Sequence, residues 1–200
     1  TVTVATAAPP ALGAPDLQAA SDAGASSTDN LTNAPSPSFD IVGVAAGHSV
    51  ELLRKPAGAA NTLFVVVGSR VGDGAIQDAG PLSSGQFDYA ARQVDPAGNA
   101  SPIGAILTIT VDVIAPATPA APDLQPPSDT GPSDTDNNTA DTSPTFGIAT
   151  ADVGSIVVLL RRPTSPAGPA VEAASVVVGA LPVALTDNGP LANGQYEYTT

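Results

Sequence analysis

The sequence of 200 residues contains no cysteine, no methionine and no tryptophan. Without cysteine the chain has no disulfide bonds, no thiol nucleophile and no thiolate ligand for zinc. The lack of methionine indicates a piece of a longer protein, which we expect to be exported. No apolar run approaches the roughly 18 residues that a membrane helix needs, so we expect no membrane span in this fragment.

Basic residues are also scarce, with 6 Lys and Arg against 19 Asp and Glu, a net charge of −13. A nucleic-acid partner is therefore not expected, because phosphate contacts need clusters of Lys and Arg. Long helices are excluded by 21 prolines and 19 glycines. The hydrophobic fraction of 42% is too high for a disordered linker, so short apolar strands separated by turns are expected.

The sequence contains an internal repeat. Pro15-Asp16-Leu17-Gln18 recurs 107 residues later as Pro122-Asp123-Leu124-Gln125, and Thr28-Asp29-Asn30 recurs as Thr135-Asp136-Asn137. Thr1-Val2-Thr3-Val4 aligns at the same spacing with Thr108-Ile109-Thr110-Val111. The predicted organisation is therefore: 1–11, the last strand and linker of a preceding repeat; 12–113, a complete repeat; 114–121, a linker; and 122–200, a second repeat that lacks its final strand.

The residue pattern of each copy predicts short strands separated by turns. In the first copy, strands are predicted at 38–42, 49–55, 62–69, 86–94 and 105–113. Around seven short strands per hundred residues indicate an all-β fold of tandem immunoglobulin-like β-sandwich repeats with Greek-key connections. The chain lacks the cysteines and the tryptophan that often form a disulfide and pack in the core of immunoglobulin domains. The core is therefore expected to be filled by four aromatic side chains: Phe39, Phe64, Phe87 and Tyr89.

Several motifs resemble the bacterial Ig-like repeats of giant adhesins. They are Pro37-Ser38-Phe39, the Asp95-Pro96-Ala97-Gly98-Asn99 turn and the segments 16–22, 28–33 and 112–116. The resemblance implies type I-secreted, RTX- or biofilm-type adhesins on the surface of Gram-negative bacteria. It also implies that such repeats act as extenders beside neighbouring repeats of the same long chain, with calcium at loops and domain junctions.

Acidic residues crowd into one loop of each copy. Calcium takes six to eight oxygen ligands, and carboxylates, amide oxygens and backbone carbonyls all serve. The candidate calcium ligands are Asp22, Asp29, Asn30, Asp112, Asp129, Asp136 and Asn137. The alternative is that these side chains only cap turns through bonds to the backbone. Both interpretations stay open from the sequence.

Catalysis is not expected. His48 beside Ser49 is the only histidine, and the second copy lacks its counterpart. The function predicted is a non-catalytic, calcium-rigidified extender of a secreted, cell-surface adhesin. One alternative is an accessory module of an extracellular enzyme with weak carbohydrate binding. Another is a filament subunit in which residues 1–4 insert into a neighbouring chain, although this would still leave the counterpart of residues 92–107 missing.

Overall fold

The structure is a computed structural model that describes residues 4–24 and 26–200. The chain divides into two compact units, Thr1–Ile114 (unit 1) and Ala115–Thr200 (unit 2). Residues 1–3, which carry most of the strand predicted within 1–11, lie outside the described residues. The attribution of 1–11 to a preceding repeat therefore stays a prediction.

Unit 1 consists of two sheets, and its described residues form eight strands. The strands are β1 (Asp16–Leu17), β2 (Leu31–Thr32), β3 (Ser38–Ile41), β4 (Ser49–Pro56), β5 (Val65–Val71), β6 (Gly74–Gln77), β7 (Gly85–Val94) and β8 (Leu107–Val111). One sheet has the order β1-β3-β6 and the other the order β2-β8-β7-β4-β5. All neighbours are antiparallel except β2 and β8, which run parallel.

The core of unit 1 lies between these two sheets. Phe39 from the smaller sheet packs on Tyr89 from the larger one, with ring centroids 4.2 Å apart. Leu52 and Ile109 complete the same cluster and are fully buried. The inward alternation predicted for β7 places Tyr89 and Ala91 in this core, because successive side chains of a strand point to opposite faces.

Unit 2 repeats the arrangement with six strands among its described residues. They are β9 (Asp123–Leu124), β10 (Thr145–Ile148), β11 (Ile156–Pro163), β12 (Val171–Val177), β13 (Val183–Thr186) and β14 (Tyr196–Thr199). The sheets have the orders β13-β10-β9 and β12-β11-β14. Phe146 packs on Tyr198 at 4.2 Å, as Phe39 does on Tyr89. The prediction of an all-β fold of tandem immunoglobulin-like sandwiches is confirmed.

The strand predicted at 62–69 is wrong at its start. Asn61–Leu63 forms a short 3-10 helix closed by the bond from Phe64 N–H to the Asn61 carbonyl, 3.3 Å, and β5 begins only at Val65. Phe64 consequently lies beside an edge strand, half-buried under Lys55 Nζ at 5.2 Å from its ring, and not in the core. The strand β6 was not predicted, because Ile76 is the only buried side chain of its four residues.

Candidate functional site

The loop between β1 and β2 brings Asp22 and Asn30 together. A turn after β1 ends at Asp22, whose N–H donates to the Gln18 carbonyl at 2.9 Å. The Asp22 carboxylate, 3% exposed, accepts the N–H of Asn30 on Oδ2 at 3.3 Å. Asn30 adopts a left-handed backbone with φ of 59°, which asparagine tolerates better than most residues. Asp29 caps the same bend by accepting the Leu31 N–H at 3.0 Å.

The corresponding loop of unit 2 has the same geometry. Asp129 is 5% exposed and accepts the N–H of Asn137 at 3.2 Å, and Asn137 has φ of 57°. Asp136 accepts the Asn138 N–H at 3.0 Å. This bond holds the pKa of the Asp136 carboxyl below its usual range, and a contact with the Asp129 side chain contributes in the same direction.

One oxygen in each loop stands out. Oδ1 of Asp22 and Oδ1 of Asp129 are buried and have no hydrogen-bond partner among the described residues. No salt bridge among those residues involves either aspartate. A buried carboxylate oxygen without a donor carries a desolvation cost of about 1–3 kcal/mol or more, which a bound cation would remove.

The loops offer oxygen donors only, which suits a hard cation such as Ca²⁺. Asp136 Oδ1 and the Asn138 carbonyl both lie close to Gly131, where a Cβ would come within 2.7 Å and 3.0 Å of them. Within residues 4–24 and 26–200, no three His, Asp or Glu side chains gather into a metal-holding group. A calcium ion here would thus depend on two carboxylates, with backbone carbonyls or water completing its shell.

The backbone of Asp112 is bonded to the first loop, but its carboxylate binds other residues. Its N–H donates to the Thr32 carbonyl at 2.8 Å, next to the Asp22 loop. Its Oδ1 accepts Ser84 Oγ at 3.3 Å and the Ile114 N–H at 3.1 Å. Asp112 therefore caps the start of the linker, and the contacts found for it do not place it with Asp22 and Asp29.

A network of buried charge was not among the predicted sites. Asp78 in unit 1 is 1% exposed and accepts hydrogen bonds from Arg54 Nη1 at 2.6 Å and from the Gly80 N–H at 2.8 Å. Asp187 in unit 2 accepts equivalent bonds from Arg161 and Gly189. The signal was present in the sequence, because an Asp two residues before Gly-Pro-Leu occurs in both copies.

The paired basic residues at the ends of β4 and β11 are bound to acids. Lys55 is 3% exposed and its Nζ contacts Asp88 Oδ2, which lowers the pKa of the Asp88 carboxyl. Arg162 pairs with Glu197 at the equivalent position, where both side chains are about half exposed at 56%. His48 lies with Nδ1 3.2 Å from Gln93 Oε1.

Two stacked-sheet units with the same loops and the same buried networks define the class of protein as tandem immunoglobulin-like sandwiches. The family model of the bacterial Ig-like domain matches residues 8–113 and again residues 115–200. The chain belongs to the bacterial Ig-like domain family. No curated protein sequence matches it.

A solved structure of the chicken CNTN1 FN1–FN3 domains is similar to this chain, with 12% sequence identity and a TM-score of 0.43. The similarity covers 96% of this chain and 62% of that chain, so this chain spans under two thirds of its length. In the described part of this chain, no helix is long and apolar enough to cross a membrane.

Proposed function

We propose that the chain is a stretch of non-catalytic extender repeats of a secreted adhesin on the bacterial cell surface, with neighbouring repeats in the same long chain. The proposal rests on one observation: the two tandem bacterial Ig-like domains repeat the same network of buried hydrogen bonds. In unit 1, Arg54 and Tyr89 both donate hydrogen bonds to Asp78. In unit 2, Arg161 and Tyr198 donate hydrogen bonds to Asp187. Repeated structural contacts suit a spacer that holds a terminal binding domain away from the cell.

Exposed aromatic side chains would favour the alternative of a carbohydrate-binding accessory module. All seven Phe and Tyr residues are described, and each is buried or half-buried. The surface therefore gives no support to that alternative, and the extender is the better supported function.

Antibodies raised against the 200-residue chain test the proposed location. They should label intact cells of the bacterium that makes the parent protein, because an extender lies outside the envelope. An in-frame deletion of both repeats should leave secretion unchanged and reduce attachment. Labelling that requires broken cells would contradict the proposal.

Calcium is proposed to bind at the loop of each unit and to make the repeat more rigid. The support is the unpaired Oδ1 of Asp22 and of Asp129, in loops that each carry a second acid, Asp29 or Asp136. A cation that binds only the native state raises the melting temperature with its concentration. Calcium would neutralise the buried carboxylates and hold both sides of the loop.

Calorimetric melting of the full chain in calcium, in EGTA and in magnesium at equal ionic strength tests this proposal. Calcium should raise the melting temperature, and Asp129→Asn should remove the share that belongs to unit 2. Asp134→Asn is the matched control, because Asp134 is an exposed acid in the same loop. Equal melting in calcium and EGTA, or equal effects of the two variants, would leave these loops as capped turns.

A further inference from the structure

The chain enters unit 1 through residues 5–12, here called the entry segment of unit 1. The segment belongs to no strand, but two of its side chains, Pro9 and Leu12, are buried. The Leu12 carbonyl accepts the Ala105 N–H at 3.3 Å. A Cβ at Gly104 would come within 2.6 Å of the same carbonyl, so glycine is needed for the two backbones to pass this closely. The entry segment is therefore part of the packed unit.

Gln93 binds this segment from inside the unit. Gln93 is 1% exposed, and its Nε2 donates to the Pro10 carbonyl at 2.8 Å. Its Oε1 accepts the Ala45 N–H at 3.0 Å and lies 3.2 Å from His48 Nδ1. A buried amide that is bonded at both ends has one preferred orientation, because turning it over would leave buried polar atoms without partners. Gln93 is therefore preorganised to bind a carbonyl at this position.

Asn99 binds the entry segment at a second point, nearer the start of the chain. Its Nδ2 donates to the Ala5 carbonyl at 2.9 Å and to Asp95 Oδ2 at 2.9 Å. Oδ1 of Asp95 accepts the backbone N–H groups of Ala97 at 2.9 Å and of Asn99 at 2.8 Å. The turn Asp95-Pro96-Ala97-Gly98-Asn99 thus orients one side-chain amide toward the entering chain.

Gln93 and Asn99, here called the entry clamp of unit 1, both bind main-chain carbonyls. Such carbonyls are present at every residue, so the clamp recognises the backbone of the segment and not its side chains. A proline-rich segment suits this kind of recognition, because proline has no N–H to satisfy and its fixed φ favours an extended chain. Pro9-Pro10 lies at the point where Gln93 binds.

Unit 2 binds its own entry segment, residues 117–120, through a different residue. Asp152 Oδ2 accepts the Ala117 N–H at 2.7 Å, and the Ala120 N–H donates to a carbonyl of the same loop at 2.9 Å. Unit 1 has Ala45 at the position of Asp152, and the Ala45 N–H is bonded to the entry clamp of unit 1. The same loop of each unit is therefore tied to the entering chain.

We propose that each unit fixes the direction of the chain that enters it by these hydrogen bonds and without a metal ion. The entry clamp consists of Gln93 and Asn99 in unit 1 and of Asp152 in unit 2. The proposal deepens the extender function and rests on it, because a spacer must keep successive repeats from folding back on each other. None of the three side chains belongs to the proposed calcium loops, so the clamps should act equally in calcium and in EGTA.

Hydrogen exchange of the 200-residue protein in EGTA, followed by NMR, tests the clamp of unit 2 at a single amide. The Ala117 N–H should be protected, and Asp152→Ala should speed its exchange by about tenfold, as expected for the loss of one hydrogen bond. Asp152→Asn should restore most of the protection, because its amide oxygen still accepts an N–H. Ala120, which bonds to a backbone carbonyl, should stay protected in both variants. Asp134→Ala is the matched control, since Asp134 is an exposed acid of the same unit outside the clamp.

Nitrogen-15 relaxation in EGTA tests the entry segment of unit 1. The amides of Ala7 and Ala8 lie between the points bound by Asn99 and Gln93, and their order parameters should be close to about 0.85, the value of rigid backbone. Asn99→Ala should lower them into the flexible range below about 0.6. Asn61→Ala is the matched control, because Asn61 is exposed and its side chain forms no hydrogen bond among the described residues.

Flexible Ala7 and Ala8 amides in the natural chain would overturn the clamp of unit 1, as would equal effects of the two asparagine variants. An unprotected Ala117 amide, or exchange that Asp152→Ala leaves unchanged, would overturn the clamp of unit 2. Entry segments that become rigid only when calcium is added would overturn both clamps and support the calcium proposal instead. Failure of cell-surface labelling would contradict the extender function, whereas rigid entry segments in EGTA would still support the clamps.

Discussion

Tyr89 donates its phenolic hydrogen to Asp78 Oδ2 at 2.5 Å, and Tyr198 makes the same bond to Asp187 at 2.6 Å. Tyr89 lies in β7 of the larger sheet, and Asp78 directly follows β6 of the smaller one. Arg54 from β4 binds the same carboxylate. The bonds therefore join the two sheets of the sandwich at a place where no disulfide is available.

Loss of the Asp187 carboxylate should strongly destabilise unit 2. Asp187 has a side chain with no exposed surface, and Arg161 loses its partner in the Asp187→Ala variant. Breaking a buried pair of this kind costs about 3–5 kcal/mol. Denaturant unfolding of the full chain should show the transition of unit 2 moving to lower denaturant.

The neighbouring pair of Arg162 and Glu197 provides the control for this variant. Both side chains are 56% exposed, so Glu197→Ala should cost about 0–1 kcal/mol. Similar shifts for the two variants would show that the network of Asp187 does not hold the sandwich together.

The salt bridge between Lys55 and Asp88 should make unit 1 sensitive to acid. The hydrogen bond from Lys55 lowers the pKa of the Asp88 carboxyl, and the bond from Thr108 contributes as well. A lowered pKa in the folded state stabilises the protein above the unfolded value of about 3.9, and this stability is lost as the pH falls through the folded value.

The free energy of unfolding should therefore decrease below about pH 4, and less steeply in Asp88→Asn than in the natural chain. Asp16→Asn is the control, because Asp16 is exposed and has no hydrogen-bond partner for its carboxylate among the described residues. An unchanged slope in Asp88→Asn would contradict this assignment.

Much of the fold was predictable because its signals are local. Alternating side chains in residues 86–94 identified β7 and the inward position of Tyr89, and the recurrence of whole motifs identified the tandem repeat. Phe64 was misplaced because a 3-10 turn, and not hydrophobicity, decides where β5 begins.

Some features of the candidate site follow from local sequence, whereas others depend on residues that are distant in the chain. Asp22 and Asn30 are eight residues apart in one loop, where the Asn30 N–H donates to the Asp22 carboxylate, and their role as calcium ligands stays a prediction. The orientation of the Asp112 carboxylate depends on Ser84, which is 28 residues away, and could not be read from local spacing. Arg54, Asp78 and Tyr89 come together only when the two sheets stack.

Strong alkali should weaken unit 1 through Tyr89. Burial raises the pKa of the Tyr89 hydroxyl, and the neighbouring Asp78 carboxylate raises it further. A raised pKa in the folded state stabilises the protein fully below the unfolded value of about 10, and this stability is lost as the pH rises above it.

The natural chain should thus lose stability above about pH 10 more steeply than Tyr89→Phe, which has no phenol to ionise. Titration by tyrosinate absorbance measures the same group directly. In the folded chain, Tyr89 and Tyr198 should ionise at a higher pH than free tyrosine, because the pKa values of both are raised. Ionisation of all three tyrosines near the usual pKa would contradict the buried bonds.

A methyl group at Gly131 should disturb the acidic loop of unit 2. A Cβ there would lie 2.7 Å from Asp136 Oδ1 and 3.0 Å from the Asn138 carbonyl, closer than atoms normally approach. Either the carboxylate or the backbone must shift, so Gly131→Ala should destabilise unit 2 by about 1–3 kcal/mol. Gly179→Ala is the control, since a Cβ at Gly179 meets nothing within 4 Å. It should change stability by about 0.5 kcal/mol or less. Asp136 lies against Gly131 and is a proposed calcium ligand, so the alanine variant should also reduce any stabilisation by calcium, whereas the Gly179 variant should leave it unchanged.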